Sequence, residues 1–327
     1  MTRAATAGDV RRHAGLVVRP MRPSDVDEAD RIMRVAFGTY LKAPDPVLVF
    51  GDVDVVRTRY RTDPGRAFCA EADGQVVGSN FATRWGSFGF FGPLTVRVDL
   101  WDRGIAQALM RPVLDLFDRW DVRDAGLFTF PESPKHVGLY NKFGFWPREL
   151  TPVLAKQVDA PQAGAGYDTL GTDRARGSLD QVLDDCRAVA DSVHGGLDLT
   201  EEILAVAQHR LGDTVLVRDS DRVVGFAVCH HGPDTEAGSG ACYIKFAAVA
   251  PGTGAGARFA RLLDACEAFT TQHGQRMVIA GVNTARRQAY RTLLDRGYRA
   301  QFHGLTMTRA DGPTYNRSDI YVLDDLR

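Results

Sequence analysis

The sequence predicts a mixed α/β fold, an α+β arrangement with helices packed on the faces of a mixed sheet, built twice in tandem. Three observations carry this. Up to about Val158 the periodicity runs strand, helix, three strands, helix, strand, helix, strand. The stretch "QVDAPQAGAGYDTLG" then loses periodicity and fills with Gly, Ala and Pro, and the same pattern of elements resumes beyond it. Leu109 and Leu262 are separated by 153 positions, as are Gly144 and Gly297, so one register runs from the first long helix of each half to the glycine ending its second. The expected divisions are 14–156 for the first domain, 157–171 for a linker and 172–327 for the second domain.

The elements follow in order. A short strand at Leu16–Arg19 precedes a helix capped by Ser24, with Ile32, Met33, Val35 and Ala36 on its apolar face. "RAFCAEADGQVVGSNFATRWG" reads as a hairpin turning at Asp73-Gly74. "GPLTVRVDL" is a third strand, leading into a helix that carries Ala108, Leu109, Val113, Leu114 and Phe117 at helical spacing. "AGLFTF" reads as a buried strand, "PKHVGLYNKFGF" as a helix stopped by Gly144, and "LTPVLAKQV" as the closing strand. In the second half the counterparts are "DTVLVRDSDRVVGFAVCHHG", "ACYIKFAAVAPG", "ARFARLLDACEAFTTQHG", "RMVIAGV", "TARRQAYRTLLDRGYR" and "GLTMTR". The helix "LDQVLDDCRAVADSV" is clear, but no strand is evident before it.

Composition narrows the function. Forty Lys+Arg against 41 Asp+Glu give a net charge of -1, so no global field draws nucleic acid or an anionic membrane. Five scattered cysteines without a CxxC pair suggest neither a zinc site nor a disulfide framework, and read as reduced core thiols. With no signal-peptide pattern in "MTRAATAGDVRRHAGLVVRP" and no long apolar run, a soluble, cytoplasmic protein is expected.

The chemistry concentrates at "VDLWDRGIAQALM", where a strand feeds a helix through a glycine-containing turn. Such a turn aims backbone N–H groups, with the positive end of the helix dipole, at the space before the helix. Gly104 and Ala106 leave room for close approach, which suits a pyrophosphate. In this context the chain resembles the GNAT superfamily of acyl-CoA-dependent N-acetyltransferases. The family signature, Arg/Gln-x-x-Gly-x-Gly/Ala between the fourth strand and third helix, falls on Trp101, Asp102, Arg103, Gly104, Ile105 and Ala106. Its second hallmark, a Tyr four residues before Gly-Phe, falls on Tyr140, with Gly144 and Phe145. Trp101 stands where the family prefers a basic or amide side chain, and Asp102 where it usually has glycine; Arg103 would offset the acid.

The resemblance implies two tandem GNAT-like acyl-CoA N-acyltransferase domains, with acetyl-CoA as cosubstrate and no metal. By it, the backbone of Val96, Arg97 and Val98 pairs with the pantetheine amides as an added strand. N–H groups from Arg103, Gly104, Ile105, Ala106 and Gln107 cradle the pyrophosphate, and the Ser133 hydroxyl meets a pantetheine carbonyl. Tyr140 donates a proton to the departing thiolate. Glu132 and Asp99 are the carboxylates near enough to serve as base, and Glu132 ranks first. The acceptor is a primary amine, on a small molecule or a peptide.

Carrying the 153 offset onto the second half puts Ala257 at the place of Gly104, Phe259 at that of Ala106 and Leu293 at that of Tyr140. This half is therefore expected to be catalytically degenerate and to shape the acceptor cleft. "PGTGAGAR" offers an alternative anion loop. Adjacent strand residues His230 and His231 point to opposite faces, which argues against a metal pair. The aromatics Trp85, Phe88, Phe90 and Phe91 either line an acceptor pocket or bury against the second half, and "RTRYR" reads as a solvated helix face. A non-catalytic acyl-CoA-binding regulatory or scaffold protein is the rival expectation.

Overall fold

The computed structural model describes residues 15–159, 167–175, 179–309 and 314–327. The predicted linker falls outside these at 160–166, while its ends join regular structure. In the first half, β1 (Val17–Pro20) is followed by α1 (Val26–Tyr40), α2 (Val56–Thr62), β2 (Ala67–Ala72), β3 (Gln75–Trp85), β4 (Phe88–Phe91) and β5 (Thr95–Val96). Next come α3 (Ile105–Arg119), β6 (Asp124–Thr129), α4 (Pro134–Asn141) and β7 (Trp146–Gln157). Ser24 is not the cap of α1: it lies inside a 3-10 turn, and Asp25 takes the cap position, held by Arg19 at 2.6 Å.

The second half supplies β8 (Asp168–Thr169), α5 (Leu170–Ala175), α6 (Leu179–Val193), α7 (Thr200–Gln208), β9 (Gly212–Asp219), β10 (Arg222–Gly232) and β11 (Gly238–Val249). It ends with α8 (Ala255–Gln272), β12 (Met277–Gly281), α9 (Arg287–Asp295), β13 (Arg299–Thr308) and β14 (Val322–Leu323). The first strand that was not legible is the two-residue β8, too short to show alternation.

Both halves share one sheet, in the order β1-β2-β3-β4-β6-β13-β7-β12-β11-β10-β9-β8. The long last strands are exchanged. β13 of the second half lies between β6 and β7 of the first, and β7 lies between β13 and β12. A boundary at 156 thus falls within a strand that completes the other half's sheet. Two junctions are parallel, β4 with β6 and β11 with β12. They obey the same offset, since Phe88 faces Asp124 and Ala241 faces Met277.

Each half also leans on the other's connections. The β3–β4 hairpin meets the α6–α7 loop, where Ser87 N–H donates to Gly196 O at 2.8 Å. The β10–β11 hairpin meets the α1–α2 loop, where Asp54 N–H donates to Thr235 O at 2.8 Å and Ser239 N–H to Asp52 at 2.9 Å. Trp85, Phe88 and Phe90 are buried in one cluster with α6 and α7, so these aromatics bury against the second half. Removing such rings from water contributes about 1.5–3 kcal/mol each. All five cysteines are buried and none forms a disulfide. Among the described residues no helix is long and apolar enough to cross a membrane.

Candidate active site

The turn before α3 adopts the expected geometry. Gly104 is its N-cap with φ of 79°, a left-handed conformation that glycine adopts without strain, and no side chain caps the helix. The first helical bond is Ala108 N–H to Gly104 O at 3.1 Å, which leaves the N–H groups of Ile105, Ala106 and Gln107 without helical acceptors at the mouth. The buried face of α3, Ile105, Leu109, Met110, Val113, Leu116 and Phe117, fixes the helix on the sheet. Asp102 is neutralised by Lys135 at 2.6 Å, and the same ammonium lies 5.3 Å from the Trp101 ring centre. Lys135 opens α4, so this pair binds the mouth of α3 to the helix that carries Tyr140. Arg103 is exposed beside them.

A wedge-shaped gap opens in the sheet next to this mouth. β4 pairs with β6 from Phe88/Asp124 to Phe90/Gly126 and no further, while β5 turns back onto β3. Arg97 N–H donates to Val77 O at 2.9 Å, so this amide belongs to the β3 ladder; its side chain pairs with Asp99 at 2.8 Å. Alternation then turns the amide and carbonyl of Val96 to the gap. The Trp101 indole N–H donates to the Val96 carbonyl at 2.8 Å. The predicted strand ends there, because Val98–Leu100 is a 3-10 turn in which Val98 O accepts from Trp101 N–H at 3.3 Å.

Tyr140 closes the far side. Its ring is buried with Phe91, Val96, Ile105 and Phe145, at 5.7 Å from the Phe91 ring, and its hydroxyl forms no hydrogen bond among the described residues. Burial pushes its phenol above the ordinary value. Ser133 caps α4, its hydroxyl oxygen accepting from His136 N–H at 3.4 Å. Exposed Glu132 accepts from the Tyr40 hydroxyl at 3.3 Å, joining the end of α1 to the β6–α4 loop. Burial, and then the Glu132 charge, raise the Tyr40 pKa. Asp99 is solvent-exposed and paired with Arg97, which keeps it low.

A buried charged network that no sequence pattern reveals lies between the halves. Arg59, on the helix expected to be solvated, is only 7% exposed. Its guanidinium lies 3.4 Å from Glu236 and donates to the carbonyls of Gly92, at the end of β4, and Arg327. Lys245 lies 2.8 Å from Glu236 and 3.1 Å from Glu202, which also accepts from the Trp85 indole. His230 is enclosed beside this network with both ring nitrogens unpartnered, and burial pulls its pKa down to about 4. His231 faces the other way, 4.5 Å from the His273 ring, as alternation requires. Among the described residues no group of three or more metal-ligating side chains occurs.

The structural register corrects one sequence expectation. Gly254, not Ala257, is the N-cap of α8, with φ of 83°, so Gly256 and not Phe259 stands at the close-approach position. The loop before α8 is shorter than its counterpart, which a constant offset from the helix interior does not register. Phe259 instead lies fully buried under the helix. Leu293 does occupy the place of Tyr140 on α9, since Gly144 and Gly297 both end their helices with positive φ.

Residues 35–145 match the acetyltransferase (GNAT) family model. The matched segment contains the α3 mouth, Glu132 and Tyr140. Among solved structures the chain is similar to a proposed acetyltransferase of Pyrococcus horikoshii, at 16% identity and a TM-score of 0.67, covering 97% of this chain and 96% of that one. It is similar to a GCN5-related N-acetyltransferase of Sphaerobacter thermophilus, at 15% identity and a TM-score of 0.54, over 90% and 95% of the two chains. A third, from Anabaena variabilis, has 14% identity and a TM-score of 0.52, over 90% of this chain and 72% of that one. At these identities the likeness is one of fold, and the fold is GNAT-like. Comparison with curated proteins returned no match.

Proposed function

We propose that the first half transfers an acetyl group from acetyl-CoA to a primary amine, the second half being a catalytically degenerate GNAT-like partner. One observation carries the choice of half. The β4–β6 gap borders an uncapped helix mouth and Tyr140, whereas the equivalent β11–β12 gap already holds β14 and has Leu293 in place of the acid. The pyrophosphate would meet the N–H groups of Ile105, Ala106 and Gln107, and the pantetheine arm the edge at Val96, where it must displace the Trp101 indole.

The amine lone pair attacks the thioester carbonyl directly, forming the C–N bond. Collapse of the tetrahedral intermediate breaks the C–S bond, and Tyr140 gives its phenolic proton to the sulfur. Glu132, directly or through water, takes the proton that the nitrogen sheds. No covalent enzyme intermediate is needed. Burial supports the role of Tyr140, because a phenol kept above its ordinary pKa is still protonated at neutral pH. The acceptor, a small-molecule or peptide amine, approaches between the end of α1 and the β6–α4 loop, with the β10–β11 hairpin of the second half supporting the α1–α2 loop. Near-zero net charge fits a protein that engages neither nucleic acid nor membrane.

Tyr140→Phe is the test. It should lower kcat by about 10²–10⁴ with acetyl-CoA affinity unchanged. Unchanged turnover removes Tyr140 from the mechanism. CoA binding without thiol release across a broad amine panel favours a non-catalytic acyl-CoA-binding module.

A further inference from the structure

Beyond β13, β14 enters the gap of the second half. β11 and β12 pair in parallel from Ala241/Met277 to Ile244/Ala280 and then part. Just beyond, β14 takes the freed edge of β11, Leu323 opposite Ala247 and Val322 opposite Ala248, while Val249 N–H donates to Tyr321 O at 3.3 Å. By the 153 offset these β11 positions correspond to Leu94 and Thr95, next to the Val96 edge of the first gap.

The segment is fastened along its length. Buried Arg286 lies 2.8 Å from the Asp324 carboxylate and donates to Val322 O at 3.1 Å. The Tyr243 hydroxyl donates to Asp325 at 2.9 Å. Gly281, the last residue of β12, has no room for a side chain: a Cβ there would stand 2.2 Å from that of Asp325. At the other end the Tyr321 hydroxyl would be 3.0 Å from a Cβ on Gly256, so this ring lies over the mouth of α8. That mouth has the same left-handed glycine cap as α3, followed by Ala255 and Gly256.

We propose that residues 321–325 are a built-in strand ligand of the second half, lodged where the pantetheine arm of an acyl-CoA would pair, so that the chain has one accessible cofactor slot and one occupied by itself. The proposal rests on the reading above that acyl-CoA binds by strand pairing in such a gap. Strand addition explains the occupancy physically: the exposed edge of β11 needs partners for its N–H and C=O groups, and a tethered segment presents itself at an effective concentration of millimolar order. Free CoA at micromolar levels meets it at a concentration disadvantage of about a thousandfold.

Isothermal titration with CoA tests this by counting sites. The full chain should bind one equivalent, and Gly104→Trp none. Gly281→Ala, which crowds Asp325 out of the second gap, should bind two, the second more weakly, with faster hydrogen exchange at 321–325. Two equivalents in the unaltered chain, or one in Gly281→Ala, overturn the proposal. Should Gly281→Ala not fold, a chain ending at Ile320 supplies the count. If Gly104→Trp keeps its equivalent, the first-half reading fails instead, and the count in Gly281→Ala still decides whether the strand is a ligand.

Discussion

Lys245→Met removes the cation that two buried carboxylates share. Its Nζ lies 2.8 Å from Glu236 and 3.1 Å from Glu202, all three side chains being 4–7% exposed. Burial alone would raise the pKa of both carboxyls; the attraction of Lys245, the largest opposing effect, together with the other groups facing them (His230 and the Trp85 indole for Glu202, Arg59 and His230 for Glu236) holds them below the usual range. Methionine keeps the volume and removes the charge. Arg59 still faces Glu236, but Glu202 is left with the Trp85 indole alone. An unpaired buried charge of this kind costs about 3–5 kcal/mol. At about 2–4 °C per kcal/mol for a protein of this size, Tm should drop by roughly 6–20 °C. The pH dependence has a definite sign. A carboxyl lowered in the folded state stabilises above its unfolded pKa of about 4.3, and that contribution is lost as pH falls through the folded value. In the variant Glu202 takes up a proton at higher pH than in the parent, so the deficit is greatest near neutrality and narrows toward pH 5. Thermal unfolding followed by circular dichroism from pH 8 to pH 5 measures it. A deficit below about 1 kcal/mol, or one that does not change with pH, would show that water solvates this network and that it does not hold the halves together.

Three other outcomes are expected. Because burial raises the phenol of Tyr140, kcat/KM should climb with pH as the acceptor amine deprotonates and should not fall before about pH 10; a falling limb nearer neutrality, measured by thiol release, rules out Tyr140 as the acid. Trp101→Phe deletes the N–H that occupies the Val96 carbonyl while keeping a ring beside Lys135. CoA should bind up to about tenfold tighter by calorimetry, the worth of one hydrogen bond, and weaker binding would place the pantetheine elsewhere. A chain of residues 15–159 produced alone should not give a cooperative melt, because β6 and β7 would lack the strand between them; a sharp transition for this piece contradicts that dependence.

Much of the first half was legible because its signals are local. The Asp73-Gly74 turn, the helical spacing of α3 and the glycine before it each specify a conformation within a few residues. The 153 register also holds at the two parallel junctions, because the 18 residues of α8 against the 15 of α3 make up for the shorter loop before it. It fails at the α8 mouth because the preceding loop is shorter, and loops absorb insertions and deletions without disturbing the elements beside them. The buried network was not legible for a different reason. Arg59 sits in "RTRYR", where alternating charge looks solvated, and its partners Glu236 and Gly92 come from β-hairpin ends distant in sequence. No window around any one of them reveals the pairing.

The exchange of β7 and β13 was hidden in the same way, yet it governs how the two gaps relate. Each half supplies the strand that completes the other's sheet, so neither gap is set by its own half alone. Arg59 makes that dependence specific. One guanidinium reaches the carbonyl of Gly92, where β4 parts from β6, and the carbonyl of Arg327, just beyond the segment that fills the second gap. Displacing that segment would therefore withdraw a partner from Arg59 and loosen its hold on Gly92, at the apex of the first gap. On this geometry Gly281→Ala should affect CoA binding in the first half as well as the second, and the direction is fixed: a less ordered apex weakens the first equivalent at the same time as the second appears.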